Sequence, residues 1–263
     1  MFFEINTNGV TYMISSVIKC PHAFTTRIGG VSKSIYTSMN LGQSLGDDPN
    51  CVSKNYNIIC NALGIAPDSL VKSKQEHGTY IRTVTEKDRQ LIFSLNNPVA
   101  DGMITDNKNV ALIIYTADCV PILLHDPSEN VICAVHAGWR GTVANIAGEA
   151  VKKLSNEFGC SPVNIKAAIG PCISQCCFET TKEVPDALFN NMGKSAKCCI
   201  KPNNEKFLVD LKEANRLMLI DSGVVDIDIS DECTSCLSEK YWSHRKHNTH
   251  RGSQASIIYL GDF

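Results

Sequence analysis

Cys119 closes the segment Thr116-Ala117-Asp118-Cys119, and seventeen positions later His136 opens His136-Ala137-Gly138-Trp139-Arg140-Gly141. Upstream, His77 stands in Gln75-Glu76-His77-Gly78. One thiolate and two imidazoles make a donor set of borderline softness, and three protein ligands leave the fourth position of a zinc ion open to water or substrate. The spacing matches no standard finger pattern, since His77 lies forty-two residues before Cys119 on a loop. A buried thiol beside two hydrogen-bonded histidines is therefore the competing reading. A second chemistry is open to the same residues: a Cys119 thiolate activated by His136 could attack a carbonyl. One sulfur cannot serve both purposes, because a metal-bound thiolate is a poor free nucleophile.

The remaining motifs are weaker. Cys233-Thr234-Ser235-Cys236 has a C-x-x-C form that suits redox chemistry or half a zinc site, but no second pair of matching spacing follows. Pro171-Cys172 begins like a zinc deaminase signature, yet the next cysteine comes after three residues and no His-x-Glu accompanies it. Neither a Walker loop nor a dinucleotide fingerprint is present. Oxyanion binding would fall to Arg27, Arg140, Arg245 or Arg251, or to a helix opening near Thr142. The tail Trp242–Gly252 carries three of the seven histidines, a composition that an exposed surface also explains.

Rigid elements must hold these side chains. Val110–Tyr115, Val120–Leu124 and Val131–Val135 are short β-branched runs of strand length. The turn Asp126–Asn130 predicts that the last two pair as antiparallel neighbours, while Pro121 predicts a bulge or edge position near Cys119. Gly138 and Gly141 allow close backbone approach around the site. Helical spacing of Val52, Tyr56, Ile59, Cys60 and Leu63 predicts a helix over 49–63, stopped by Gly64. A second is predicted over 142–158 with Thr142 as cap and Gly159 as stop, and a third over 209–222, opening at Asp210. Ile165–Ile169 and Ala255–Leu260 complete the expected strands. Strands and helices mix without strict alternation, which predicts a mixed α/β single domain of β-sheets flanked by helices.

Composition narrows the setting. A length of 263 residues suits one domain, and no apolar run nears the roughly 18 residues of a membrane helix. The amino terminus has no basic segment leading into an apolar stretch, so a cytoplasmic, membrane-free protein is expected. A net charge of -2 offers no field for a nucleic-acid polymer and favours a small ligand. Thirteen cysteines is an odd count, which argues against a full disulfide framework and for reduced thiols in the core. Cys172/Cys176/Cys177 and Cys198/Cys199 stand close in sequence without an assigned role.

Taken in order, Phe24–Ser32, Met39-Asn40-Leu41-Gly42, Gly46-Asp47-Asp48, Gln75–Gly78, Ala100-Asp101-Gly102-Met103, Thr116–Cys119, His136–Thr142, Ile169-Gly170-Pro171 and Cys233-Thr234 make the chain resemble the laccase-domain (multicopper polyphenol oxidoreductase laccase) family of YfiH-like purine nucleoside phosphorylases. The likeness runs nearly end to end, 1–263 forming one catalytic domain. It implies a fold shared with a toxin deamidase and zinc held by His77, Cys119 and His136, the residues expected to be catalytic. It further implies phosphorolysis of adenosine, inosine and methylthioadenosine to base and ribose 1-phosphate, with some adenosine deamination. Purine nucleosides and phosphate would then be the partners of a monomeric protein. Copper-dependent phenol oxidation and a Cys–His amide hydrolase acting on a cell-wall precursor are the alternatives. Arg27, Asn40 and Arg245, in polar segments rich in glycine or serine, are the expected substrate or phosphate contacts. Two departures stand out: the family's Gln-Val-His reads Gln75-Glu76-His77, and its Thr-Gly-Arg near the end reads Thr249-His250-Arg251 with altered spacing. The resemblance therefore does not carry a substrate role over to Arg251.

Overall fold

Side chains along a strand alternate between faces, and in this chain both faces are apolar because both are covered. In the strand Ala111–Thr116, Leu112 and Ile114 point into the layer between two sheets, while Ala111 and Ile113 face the helix Pro49–Leu63. In the strand Val120–Asp126 the same alternation sends Leu123 to the inter-sheet layer and Ile122 and Leu124 towards helices on the far side. The computed structural model, which describes residues 1–89, 93–94 and 97–261, is thus a mixed α/β fold with two sheets face to face and helices outside them.

The first six-stranded sheet runs in the order Phe2–Thr7, Val10–Ser15, His22–Thr25, Gln254–Tyr259, Ala111–Thr116, Leu70–Val71. The second runs Asp226–Ile229, Lys166–Ile169, Val120–Asp126, Val131–Ala137, Gly102–Thr105, Ile81–Thr83. A small third sheet joins Glu179–Thr180, Lys206–Val209 and Ile200–Asn203. Ile146–Phe158 and Leu211–Asp221 cover the outer face of the second sheet. Among the described residues no helix is long and apolar enough to cross a membrane.

Helix limits follow local chemistry. Pro49–Leu63 starts where Asp48 accepts a hydrogen bond from Asn50 N–H (2.9 Å), and ends at Gly64 with φ 67°. Leu211–Asp221 is capped by Asp210 through Glu213 N–H at 3.0 Å. The stretch 142–158 differs from its sequence expectation. A short helix, Trp139–Val143, precedes Ile146–Phe158, and Asn145, with φ 61°, caps the longer one by accepting from Gly148 N–H. Thr142 is no cap. It is buried inside the short helix, and its hydroxyl accepts from Asn215 Nδ2 at 2.9 Å.

The antiparallel pairing expected across the turn Asp126–Asn130 is present, with Val120 opposite Ala137 and Pro121 opposite His136. Pro121, however, lies in a central strand and not at an edge. Lys166–Ile169 pairs with its other side only up to Ile122, so the missing proline N–H faces the end of that pairing, and the Pro121 carbonyl still accepts from Gly170 N–H at 2.9 Å.

Candidate metal centre

The hairpin register explains how a gap of seventeen residues closes. Cys119 immediately precedes one strand and His136 stands near the end of its antiparallel partner, so both reach the same end of the sheet. His77 arrives from the loop before Ile81–Thr83, which lies parallel to Gly102–Thr105 with Ile81 opposite Gly102. That register sets Asp101 beside the His77 loop. The Asp101 carboxylate accepts N–H groups from Glu76 (3.2 Å), His77 (2.9 Å) and Gly78 (2.7 Å), cradled by a loop in which His77 adopts φ 63°. The same carboxylate meets His136 Nδ1 at 2.8 Å, both side chains being almost wholly buried. One acidic residue therefore orients the His136 imidazole directly and holds the backbone of the loop that carries His77.

The ligand atoms of His77, Cys119 and His136 lie within 4.8 Å of one another, with Cys119 Sγ 3.7 Å from His77 Nε2. The two imidazole rings meet edge to face, centroids 4.8 Å apart. Since Asp101 occupies His136 Nδ1, the Nε2 lone pair is the one left to the cluster. Burial pushes the Cys119 thiol up, but the neighbouring His136 charge and hydrogen bonds to His136 and His77 outweigh it and bring the pKa from 9.0 down to about 6. Burial pulls His136 down, but the Cys119 thiolate and the hydrogen bond to Asp101 prevail and raise it from 6.5 to about 9. A sulfur that favours the thiolate and an imidazole whose second nitrogen is held by a carboxylate are the donors zinc or copper selects, so the residues fit such an ion.

Backbone shape brings these groups together. A Cβ on Gly138 would lie 2.5 Å from His77 Cδ2 and 3.5 Å from Cys119 Sγ, and one on Gly141 would lie 2.9 Å from the Gly78 carbonyl. Asp118, with φ 93°, is anchored by Thr234 Oγ1 and by Arg245 N–H, each at 2.6 Å, and so fixes the direction in which Cys119 leaves the strand.

Two cavities meet at His77, Cys119 and Arg251. The smaller, about 320 Å³, is walled by Trp139, Ile173, Phe178 and Leu211, with His244, Arg245 and Arg251 at its polar side. The larger, about 610 Å³, runs past His136, Thr116, Gln75 and Lys72, whose pKa burial lowers to about 8. Arg245, expected as a substrate contact, lines the smaller cavity and is braced by the carbonyls of Cys177 (2.8 Å) and Glu179 (3.0 Å). Arg27 and Asn40 line neither. Arg27 donates to the carbonyls of Thr37 and Ser238 and stacks on Trp242 at 3.9 Å. Asn40 is fully buried, and its Oδ1 accepts the N–H groups of Gly42 and Ser253. Asn40 thereby holds the segment that carries Arg251.

Arg251, left without a role by its altered spacing, reaches both cavities. Asp101, Asp118 and Trp139 were visible only as letters inside Ala-Asp-Gly, Thr-Ala-Asp-Cys and His-Ala-Gly-Trp. An acidic residue directly before a strand was the available signal for Asp101; its register against the His77 loop was not.

Residues 21–261 match the family described as multi-copper polyphenol oxidoreductase laccase. Purine nucleoside phosphorylase YlmD of Geobacillus stearothermophilus is 35% identical over 240 residues, 89% of this chain and 88% of that protein. A purine nucleoside phosphorylase of Bacteroides thetaiotaomicron is 32% identical over 258 residues, 94% of both chains. The crystal structure of YlmD from Geobacillus stearothermophilus superposes with a TM-score of 0.93 at 32% identity, covering 99% of each chain.

Proposed function

The chain belongs to the multi-copper polyphenol oxidoreductase laccase family, and on that basis we propose that residues 1–263 act as one catalytic domain, a zinc-dependent purine nucleoside phosphorylase. Its substrates are adenosine, inosine and methylthioadenosine together with inorganic phosphate, and adenosine deamination is a side activity. The observation that carries this reading is the convergence of His77, Cys119 and His136 where two cavities join. Phosphorylase names on relatives that share most of their length with this chain support the reaction class.

A zinc ion in that donor set supplies Lewis acidity to an oxygen of phosphate, water or substrate. The protein's own residues do the rest. Asp101 fixes the tautomer and aim of His136 while holding the His77 loop. Trp139, Phe178, Ile173 and Leu211 offer a flat apolar wall suited to a purine, and excluding water there strengthens the polar contacts beside it. Arg245 and Arg251 place guanidinium charge where phosphate must approach the ribose. Phosphorolysis forms a bond from a phosphate oxygen to C1′ as the C1′–N9 bond breaks, and the base leaves with the electron pair. Positive charge held near the incoming anion favours that displacement. Asn40 serves at one remove, by pinning the Arg251 segment.

The deciding experiment incubates metal-quantified protein with inosine and adenosine, with and without phosphate. Phosphate-dependent release of hypoxanthine and adenine that disappears in Cys119→Ala supports the proposal; full activity in Cys119→Ala refutes it. The paired Cys119 thiolate and His136 favour one second reading, an amide hydrolase with a cysteine nucleophile. That enzyme would survive chelation and die on alkylation, whereas the zinc enzyme loses turnover to the chelator. Phenol oxidation would require copper in the same donors, because zinc has no redox chemistry.

A further inference from the structure

A second set of ligands lies outside the site just described. Ser174–Cys177 follows the strand Lys166–Ile169, and Cys233–Cys236 follows Asp226–Ile229. These strands are parallel neighbours with Ile169 opposite Ile229, so both loops leave the sheet at the same end. A bridge between Cys172 and Cys233, with Thr234 N–H donating to the Cys172 carbonyl at 3.0 Å, continues the pairing into the loops.

The consequence is four converging sulfurs. Cys176, Cys177, Cys233 and Cys236 place their Sγ atoms within 4.8 Å of one another. Cys176–Cys177 is 3.7 Å, Cys176–Cys236 3.6 Å and Cys177–Cys236 3.4 Å. Four thiolates about 2.3 Å from one tetrahedral zinc stand about 3.8 Å apart, the edge of that tetrahedron. An iron–sulfide cluster would hold its thiolates further apart, and a disulfide would use two of the four. Cys233 adds an independent sign. Its sulfur accepts the N–H of Ser174 at 3.3 Å. A neutral thiol is a weak acceptor, so a backbone N–H aimed at this sulfur matches a thiolate turned towards a cation.

We propose that Cys176, Cys177, Cys233 and Cys236 form a tetrathiolate site for one zinc ion, separate from the three-ligand centre. With four protein ligands it is closed and structural, not catalytic. It would fasten the loop that bears Ile173 and Phe178, both lining the smaller cavity, to the turn whose Thr234 anchors Asp118. Cys176 and Cys236 are exposed, so a chelator can reach the ion.

The test uses the full chain carrying Cys119→Ala, which removes the sulfur of the other centre and makes the result independent of the phosphorylase proposal. Elemental analysis of this protein, purified without added metal and never treated with chelator, is expected to find about one zinc per chain. That zinc is expected to be lost in the added C177S/C236S background. Peptide mapping after maleimide labelling is expected to find the four thiols protected until chelator is added. Cobalt exchanged into the Cys119→Ala chain should give the thiolate-to-metal charge-transfer bands of a tetrahedral sulfur site. Iron in place of zinc, a mass deficit of two hydrogens from a disulfide among these cysteines, or four thiols labelled as readily as exposed Cys198 would each overturn the assignment. The readings on the Cys119→Ala chain stand by themselves should the added serine variant fail to fold.

Discussion

Replacing Asp101 by Asn keeps shape and volume but removes the charge that organises the three-ligand centre. Oδ1 accepts from His77 N–H and faces His136 Nδ1, while Oδ2 accepts from Glu76 and Gly78 N–H. An amide has one acceptor oxygen, so two of these four partners would confront an NH₂ group. Two opposed donors that were fully buried would cost about 1–3 kcal/mol each. Glu76 and Gly78 are exposed, and water can satisfy their N–H groups. The Asn rotamer that keeps His136 and His77 on the oxygen is therefore the cheaper one, and the net cost should be about 2 kcal/mol, two hydrogen bonds lost to water at about 1 kcal/mol each. In a protein of this size that corresponds to a fall in Tm of about 4–8 °C. Metal binding should suffer more visibly. Loss of the carboxylate behind a ligating histidine typically lowers affinity about 10–100-fold, roughly 1.4–2.7 kcal/mol. Zinc competition against a chromophoric chelator, with Cys119→Ala as baseline, measures the affinity, and thermal unfolding of the chelated protein measures the stability. A Tm lowered as expected alongside unchanged zinc affinity would refute the argument, because Asp101 would then support the loop without tuning the ligands.

Gly138→Ala should keep the fold and lower zinc affinity at least about tenfold, as its Cβ would lie 2.5 Å from His77 Cδ2 and force that ring aside; the same competition assay checks it. In metal-free protein, the rate of Cys119 alkylation against pH should have its midpoint near 6, not near the ordinary thiol value of 9.0, as read by peptide mapping. The same ion pair sets a stability window. The depressed Cys119 contribution is complete above pH 9.0 and lost as pH falls through about 6, while the raised His136 contribution is complete below pH 6.5 and lost as pH rises through about 9. Being one interaction seen from both partners, it should give chelated protein its greatest Tm advantage over Cys119→Ala between about pH 6 and about pH 9. Arg251→Gln should raise the KM for phosphate by about tenfold, one lost charged hydrogen bond, with the far-UV circular dichroism unchanged.

Some of this molecule was legible in its letters because the signals are local. Asp48 and Gly64 bracket a helix through caps that need only their neighbours, and the turn Asp126–Asn130 sets a hairpin whose register brings Cys119 and His136 to one end. The donor types in Thr-Ala-Asp-Cys and His-Ala-Gly-Trp already spoke for a metal. Where tertiary context intervenes, local rules fail in identifiable ways. Asn145 replaces Thr142 as a cap because Thr142 lies inside the short helix Trp139–Val143 and the chain breaks at Asn145, φ 61°, before the longer one starts. Pro121 sits in a central strand because its neighbour stops one residue short of needing the missing N–H.

What the sequence determined by itself was therefore the inventory of donors, the main elements and the family. Which donors meet depends on contacts between segments far apart along the chain. Asp101 bridges His77 and His136 through the parallel register of Ile81 with Gly102, a pairing no periodicity specifies. Arg251 enters the cavities through a segment held by Asn40, 213 residues from Ser253. Cys233-Thr-Ser-Cys236 had no matching partner pair along the chain, yet Cys176 and Cys177 come to it because two parallel strands end side by side. Ligand convergence is a property of distance in space, and the chain encodes that distance only through contacts between residues far apart in sequence.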